Sequence, residues 1–339
     1  MRITLKQIAD MAGVHRSTID KVLHDRKGVS DEVRDRVRKL LDDIGYEPNV
    51  IGKALAHQNK PKRVIALLLN VDASNEIKEG IETAYNEIKM FGLKIEYYYC
   101  SITDHSKQQE LLNMLLTKKI DGLIISPIVD PEIVFGVDRL VESGIPVVSV
   151  NTDLPESKRN CFIGQDSIKA GRVAGQLMGE VLQGKGKVAI ITGSSLMQSP
   201  TERMQGFIQF VTEHYPEIQI VEKIETKEQA IIAFSETMRV LDRDDRLDGI
   251  LVTCGNVSEV GQAVRLHKNG NKIKMISYDL YPEILKLIGD GTISFSIGQN
   301  LKNQGYLSLK VIFEMIFFNQ MPSKSIFNTS IDILTRENI

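Results

Sequence analysis

The chain has 339 residues, 42% hydrophobic and 25% charged, with a formal net charge of −2; this is a soluble, globular composition, too long for one ordinary domain at roughly one per 150 residues. No apolar run reaches the roughly 18 residues a bilayer requires, and the charged start MRITLKQIADMAG lacks the apolar segment of a secretory signal. Cys100, Cys161 and Cys254 are far apart and odd in number. They give neither a disulfide framework nor a metal-ligand spacing, so the expectation is a cytoplasmic protein off the membrane, with no metal and no cofactor.

Charge is unevenly spread. Residues 1–60 hold 12 Lys and Arg against 9 Asp and Glu, leaving 30 against 35 for the rest. A basic head on an acidic body suits an anionic partner at the head. The head reads as three short helices. Thr4 caps the first, whose apolar positions are Ile8, Ala9 and Met11, and Gln7 completes a capping box. Gly13 breaks it. The second runs from about Arg16 to His24, with Ile19, Val22 and Leu23 facing inward and Arg16, Ser17, Asp20 and Lys21 facing outward. Ser30 starts the third, whose stripe is Val33, Val37, Leu40, Leu41 and Ile44, and Gly45 ends it. Three-helix units also serve as protein-interaction modules, so the pattern alone leaves DNA and protein partners open. A short tether follows, EPNVIGKALAHQNK (47–60), with a helical piece from Pro48-Asn49 to Ala56.

From Arg63 the rhythm changes. Strand-like runs alternate with amphipathic helices: 63–70, 94–100, 122–127, 146–151, 162–166, 187–193, 219–225, 249–254, 274–279 and 292–298. Continuous apolar runs suit parallel strands buried on both faces, and the βα alternation implies doubly wound α/β architecture. Ten strands exceed one small sheet, so two lobes with a cleft between them are expected. Polar residues stand where these strands end: Asn151, Asp166, Arg203, Asn256, Asp279 and Gln299. Each alone reads as a turn or cap residue. The series supplies the donors, acceptors and carboxylates that sugar hydroxyls require, at the strand ends where open α/β sheets bind ligands.

The head resembles the LacI/GalR family of bacterial transcription regulators. The matched residues are Thr4-Leu5, Ile8-Ala9, Ala12-Gly13-Val14, Ser17-Thr18, Val22-Leu23, Gly28-Val29-Ser30, Arg34, Val37, Gly45-Tyr46, Pro48-Asn49 and Ala54-Leu55. The resemblance implies that the second helix enters the major groove. His15, Arg16, Ser17 and Lys21 become groove and phosphate contacts, with Arg16 or Lys21 suited to guanine O6/N7, and Thr4 and Thr18 phosphate contacts. It also implies a hinge helix that folds on DNA: Asn49 starts it, Lys53 faces phosphate or a base edge, and Leu55 is a minor-groove wedge. Gly52 replaces the usual Ala and disfavours helix by about 1 kcal/mol. Asp20 and Lys21 stand where the family usually has Ser and Arg, and His24 where it often has Asn, so the operator sequence does not carry over.

The body resembles the periplasmic sugar-binding fold of the same family, nearest the ribose-binding type, through SPTERMQGF, CGNVSE, ISYDLYPE and ISFSIGQNLKNQGYLSL. Arg203, Asn256, Asp279 and Gln299 match ligand positions, Asn151 replaces a common acidic residue, and Asp166 matches the acid at the lobe crossover. The aromatic pair usual after the first strand is missing from NVDASNEIKEG (70–80); Asp72, Ser74 and Asn75 are candidates to touch ligand there, and Tyr278 and Tyr281 to supply a stacking face. The organisation expected is α + α/β. A helix-turn-helix domain (1–46) and a hinge helix (47–61) precede two doubly wound parallel lobes of periplasmic-binding-protein type I (62–339). The first lobe is about 62–161 with 300–326, the second 162–299 with 327–339.

No GxSxG elbow or GxGxxG fingerprint is present, and the GKGK at 184–187 lacks the spacing and terminal Ser/Thr of a P-loop. The chain therefore reads as a non-enzyme, a homodimeric repressor of operator DNA controlled by a small sugar or polyol. With Asp166 and Asp279 both acidic, a neutral effector fits better than a strongly anionic one. The alternative is the same regulator with a sugar phosphate or a protein corepressor at the body. The apolar end IFEMIFF (312–318) reads mainly as lobe core, and no C-terminal heptad pattern suggests a tetramer.

Overall fold

The structure is a computed structural model and describes residues 5–23, 27–44, 61–195, 197–243 and 246–339. Two compact units divide it, 1–60 and 61–339. The expected hinge helix, with Asn49, Lys53 and Leu55, and also Thr4 and His24, lie outside the described residues.

The first unit contains α1 (Leu5–Ala12), α2 (Arg16–Leu23) and α3 (Asp31–Asp43). Their inward stripes meet in one small core of Ile8, Ala9, Ala12, Ile19, Val22, Val37 and Leu41. One assignment changes: Met11 is 56% exposed, and Ala12 takes the buried place next to it. A helix of eight residues presents only a narrow stripe, and Ile8 and Ala12 share it at i, i+4. Gly13 takes φ +63°, the left-handed turn that only a residue without Cβ adopts cheaply, and Val14 then closes back on Ala9 with a 3.0 Å backbone bond.

The second unit repeats one design twice. Its first sheet uses β1 (Lys62–Leu69), β2 (Leu93–Cys100), β3 (Gly122–Ile125), β4 (Val147–Val150), β5 (Cys161–Gly164) and β11 (Ile326–Asn328), in the order β2-β1-β3-β4-β5-β11, all parallel. Helices α4 (Ala73–Ile88), α5 (His105–Thr117) and α6 (Pro131–Glu142) connect them. The second sheet runs β7-β6-β8-β9-β10-β12, from β6 (Lys185–Thr192), β7 (Glu217–Glu225), β8 (Gly249–Val252), β9 (Lys274–Tyr278), β10 (Ile293–Gly298) and β12 (Asp332–Leu334), with only β12 antiparallel. Helices α7 (Ser167–Val181), α8 (Gln198–His214), α9 (Ala230–Arg243), α10 (Val257–Leu266), α11 (Pro282–Gly289) and α12 (Leu301–Phe318) complete the unit.

Alternation along each first strand divides the cores. Val64, Ala66 and Leu68 face α4 and α12, whereas Ile65, Leu67 and Leu69 face α5 and α6. In the second lobe Ala189 and Ile191 face α9 to α11, and Val188 and Ile190 face α7 and α8. Burial on both faces is why these strands read as unbroken apolar runs. Side-chain caps start three helices: Asp104 accepts from Lys107 N, Asp130 from Glu132 N and Asp166 from Lys169 N.

Each lobe also closes one helix pair on glycine. A Cβ on Gly80 of α4 would sit 1.8 Å from Lys302 O of α12, and one on Gly206 of α8 would sit 2.0 Å from Ile168 O of α7. The backbones approach that closely only because no side chain intervenes. This contact fixes where α8, and with it Arg203, stands over the second sheet.

Strand pairing moves the expected lobe boundary. β5 hydrogen-bonds within the first sheet, beside β4 and β11, so the first lobe extends through Gly164 instead of ending at 161, and regains 301–328 instead of 300–326. The chain crosses between sheets at 165–166, 299–300 and 329–331. Phe162–Gly164 looks like the start of a new lobe in sequence because the apolar run is followed by polar residues. The short β11 and β12 carry too weak a pattern to be read as strands. Buried Gln165 binds the crossings together: its Nε2 donates to Gly298 O (2.9 Å) and Ser330 O (3.1 Å).

Candidate effector cleft and DNA-reading head

The carboxyl ends of the strands of both lobes border a cleft of about 480 Å³, within the range of small-ligand sites. The first lobe contributes Asn70, Asp72, Thr103 and Asn151; the second contributes Ser199, Arg203, Lys227, Glu228, Asn256, Asp279 and Tyr281; Gln299 comes from a crossing segment. A second surface groove between β7 and α9 is lined by Ile220, Glu222, Lys223, Val240 and Arg243, where Glu222 pairs with Arg239 and Arg243.

Two of the cleft residues hold equivalent places in the two lobes. Asn151 follows β4 with φ +66° and Asp279 follows β9 with φ +73°. Each donates its backbone N–H at 3.1 Å to the neighbouring strand, Asn151 to Ile163 O and Asp279 to Ile297 O. Asn and Asp tolerate the left-handed region better than other residues with a Cβ, and that bend turns both side chains at a strand end toward the cleft. Ser199 Oγ donates to Asn151 O at 3.1 Å, a hydrogen bond that joins the two lobes directly.

Arg203 is 4% exposed. Its guanidinium lies 4.2 Å over the Tyr278 ring, Nη1 donates to Thr253 O at 3.1 Å, and Nε is buried without a partner. Asp279, 7% exposed, accepts from Gln299 Nε2. Burial pushes its carboxyl above the ordinary range; the Arg203 charge and the Gln299 hydrogen bond pull it down, and Asp72 pushes it up. Asn256 Oδ1 accepts from Thr226 Oγ1 at 2.8 Å, which leaves its amide NH₂ as the group to offer. The cleft thus places a fixed cation, a buried carboxylate and two amides around one space, the complement of a ring of hydroxyl groups.

Of the seven residues expected at a ligand, the structure gathers Asn151, Arg203, Asn256, Asp279 and Gln299 around the cleft. Two are corrected. Asp166 is the N-cap of α7 and spends its carboxylate on Lys169 N, because the crossover turns into a helix at that residue. Asn75 is exposed on α4 and does not line the cleft. The first lobe instead offers Asp72, one turn earlier, while Ser74 is buried and donates to Leu69 O at 2.6 Å. Tyr278 is fully buried beneath Arg203, so of the two tyrosines only Tyr281 lines the cleft.

Glu228 escaped the sequence reading. It follows β7, an edge strand whose alternating pattern hides it from a search for buried runs, but the strand-end rule applied to all ten strands would have found it. Among the described residues no group of His, Cys, Asp and Glu is arranged to hold a metal ion, and no helix is long and apolar enough to cross a membrane.

In the head, His15 precedes α2 as a cap: its Nδ1 lies 2.8 Å from Ser17 Oγ and accepts from Ser17 N at 3.3 Å. Arg16 and Ser17 are exposed, while Thr18 and Lys21 are half-buried. His15, Arg16 and Ser17 therefore share the exposed N-terminal end of the second helix, the end that reads base edges in helix-turn-helix proteins.

Residues 43–320 match the sequence profile of the periplasmic binding protein domain, and residues 4–49 match that of bacterial regulatory proteins, lacI family. The chain belongs to the lacI family, with a periplasmic-binding-protein body. It is 25% identical over 336 residues to the transcriptional regulator MalR of Streptococcus pneumoniae, covering 94% of each chain. It is 24% identical over 345 residues to a sucrose operon repressor of Streptococcus mutans, covering 99% of each. A second sucrose operon repressor, from Pediococcus pentosaceus, matches at 26% over 214 residues, 62% of either length. Among solved structures, the arabinose-binding protein AraP of Geobacillus stearothermophilus superposes with a TM-score of 0.70 at 27% identity, over 82% of this chain and 98% of that one. A solute-binding protein of Burkholderia graminis in complex with D-arabinose gives 0.76 at 25%, over 82% and 96%. The lacI-family protein thus shares its body with transport-associated binding proteins and is set apart from them by its head.

Proposed function

We propose that this lacI-family protein is a transcriptional repressor whose operator affinity is set by a small sugar or polyol bound between the two lobes. The observation that carries the reading is the convergence of Arg203, Asn256, Asp279 and Gln299 on one cleft, in a chain that also bears a lacI head. The regulators it resembles are sucrose operon repressors and MalR, and one solved relative holds D-arabinose; both support a carbohydrate as effector. A sugar phosphate is disfavoured, because buried Asp279 and half-buried Glu228 already outnumber Arg203 in the cleft.

The chain acts as a homodimer on a pseudo-palindromic operator, with His15, Arg16, Ser17, Thr18 and Lys21 at groove and phosphate, supported by Thr4, Asn49, Lys53 and Leu55. Ligand changes the angle between the lobes through the crossings bound by Gln165. It shifts the DNA equilibrium only to the extent that it binds one lobe arrangement better than the other. The test pairs a thermal-shift screen of pentoses, hexoses and polyols with fluorescence anisotropy on the gene's own upstream region. A stabilising sugar that also changes DNA affinity is the expected result. Failure of Arg203→Ala or Asp279→Ala to abolish the stabilisation refutes the cleft assignment, and salt-independent or absent DNA binding refutes the repressor.

A further inference from the structure

The geometry points to an effector that carries a protonated amine beside its hydroxyl groups, with Glu228 as the residue that selects it. The inference rests on the cleft being the effector site, as proposed above.

Glu228 is held in place by unusual backbone. Lys227 and Glu228 both take positive φ, +52° and +58°, although neither is glycine. Consecutive left-handed residues with side chains are unfavourable, and such strain is kept where the surroundings enforce it, typically at binding sites. Thr226, buried just before them, anchors the turn by donating to Asn256 Oδ1 and by a 2.9 Å backbone bond from its N–H to Thr192 O. The turn carries the carboxyl into a space left by two glycines. A Cβ on Gly193 would lie 1.9 Å from Glu228 Oε1, and one on Gly255 would lie 3.3 Å from Oε2. The backbone at Gly255 and Ser194 favours the ionised carboxyl, yet Oε1 is buried without a hydrogen-bond partner.

Charge separates an amine from a hydroxyl as the missing partner. At the mouth, exposed Asp72 and Lys227 offset one another. Deeper in, Arg203 faces both Asp279 and Glu228, one cation to two carboxylates. Arg203 is also partly committed, stacked on Tyr278 and bonded to Thr253 O. A neutral sugar satisfies Asp279, Asn256, Gln299 and Arg203 and leaves the second carboxylate without a counter-charge; an anionic ligand worsens the imbalance. An ammonium group at the Glu228 carboxylate corrects it with a charge-assisted hydrogen bond. The state of the free carboxyls agrees: burial pushes Glu228 upward, as does the charge of Asp279, with Arg203 and the backbone at Gly255 and Ser194 opposing. Glu76 on α4 is likewise pushed up by burial and by Asp279.

The test uses the full chain and calorimetric titration at pH 7 with D-glucosamine, D-galactosamine and D-mannosamine, each beside its parent hexose and its N-acetyl derivative. At least one amine is expected to bind roughly tenfold or more tightly than both neutral counterparts, the margin of a charge-assisted over a neutral hydrogen bond. Glu228→Gln, which keeps the size and removes the charge, is expected to erase that preference; Glu228→Asp, which keeps the charge, is expected to retain part of it. A parent hexose that binds as tightly as its amine overturns the inference, as does an amine preference that survives Glu228→Gln. If a neutral sugar binds as tightly as its amine and loses binding on Asp279→Asn, the effector cleft stands and the amine inference alone falls. If none of the nine compounds binds the wild-type chain, the amine inference falls, and the wider screen of pentoses and polyols decides the cleft.

Discussion

Replacing Arg203 by alanine isolates the pairing at the centre of the cleft. The substitution removes a cation–π contact worth about 0.5–2 kcal/mol and a charge-assisted hydrogen bond to Thr253 O worth about 1.5–3 kcal/mol. It also removes the positive charge that favours the ionised form of the buried Asp279 carboxyl. These contributions overlap, and Asp279 limits the damage by taking up a proton, so the expected loss is about 3–4 kcal/mol at pH 7. In an Asp279→Asn background the same substitution no longer strands a carboxylate and is expected to cost at least 1 kcal/mol less. Urea unfolding of the wild type, the two single variants and the double variant closes the cycle, with equal slopes required before stabilities are compared. A cost for Arg203→Ala that agrees within about 0.5 kcal/mol in both backgrounds would mean that the two residues act independently, and the electrostatic account of the cleft would be wrong.

Other outcomes follow from the same geometry. The raised carboxyl of Asp279 means that the folded protein holds this proton more tightly than the unfolded chain. Its stabilising contribution is therefore complete below the unfolded pKa of about 3.9 and is lost as pH rises through the higher folded value. Asp279→Asn is thus expected to gain stability relative to wild type as unfolding is measured from pH 4 to pH 8, and a difference that is flat with pH contradicts the burial argument. Gly206→Ala forces α8 away from Ile168 O and is expected to cost about 1–3 kcal/mol as overpacking and to weaken ligand binding through Arg203, whereas unchanged Tm and affinity would show that the crossing is soft. Gln165→Ala removes the hydrogen bonds that bind the crossings; small-angle scattering is expected to show a broader range of lobe angles without ligand, and an unaltered profile excludes Gln165 as a hinge lock. Arg16→Ala at the exposed end of α2 is expected to weaken DNA binding and to reduce the salt slope by about 1 if the contact is a phosphate; an unchanged slope with relaxed sequence preference assigns it to a base.

Much of this protein is determined by the sequence alone, and for identifiable reasons. The central strands are legible because burial on both faces of a parallel sheet demands unbroken Val, Ile and Leu runs, such as RVIALLL in β1. The head is legible because its few core positions recur at helical spacing in three segments separated by Gly13 and Gly28. The placing of Asn151, Arg203, Asn256, Asp279 and Gln299 around one cleft is legible because clefts of doubly wound sheets open at strand ends.

Tertiary structure decided the rest. A polar residue after a strand serves the next helix as readily as a ligand, so only the helix direction showed that Asp166 is the cap of α7. Pairing in space assigned β5 to the first lobe and made β11 and β12 strands, since three residues carry no period of their own. The place of Glu228 depends on two left-handed residues and on glycines 35 and 27 positions away in the chain. No local pattern encodes that cradle, because it exists only when β6, β7 and β8 lie side by side and bring their ends to one cleft.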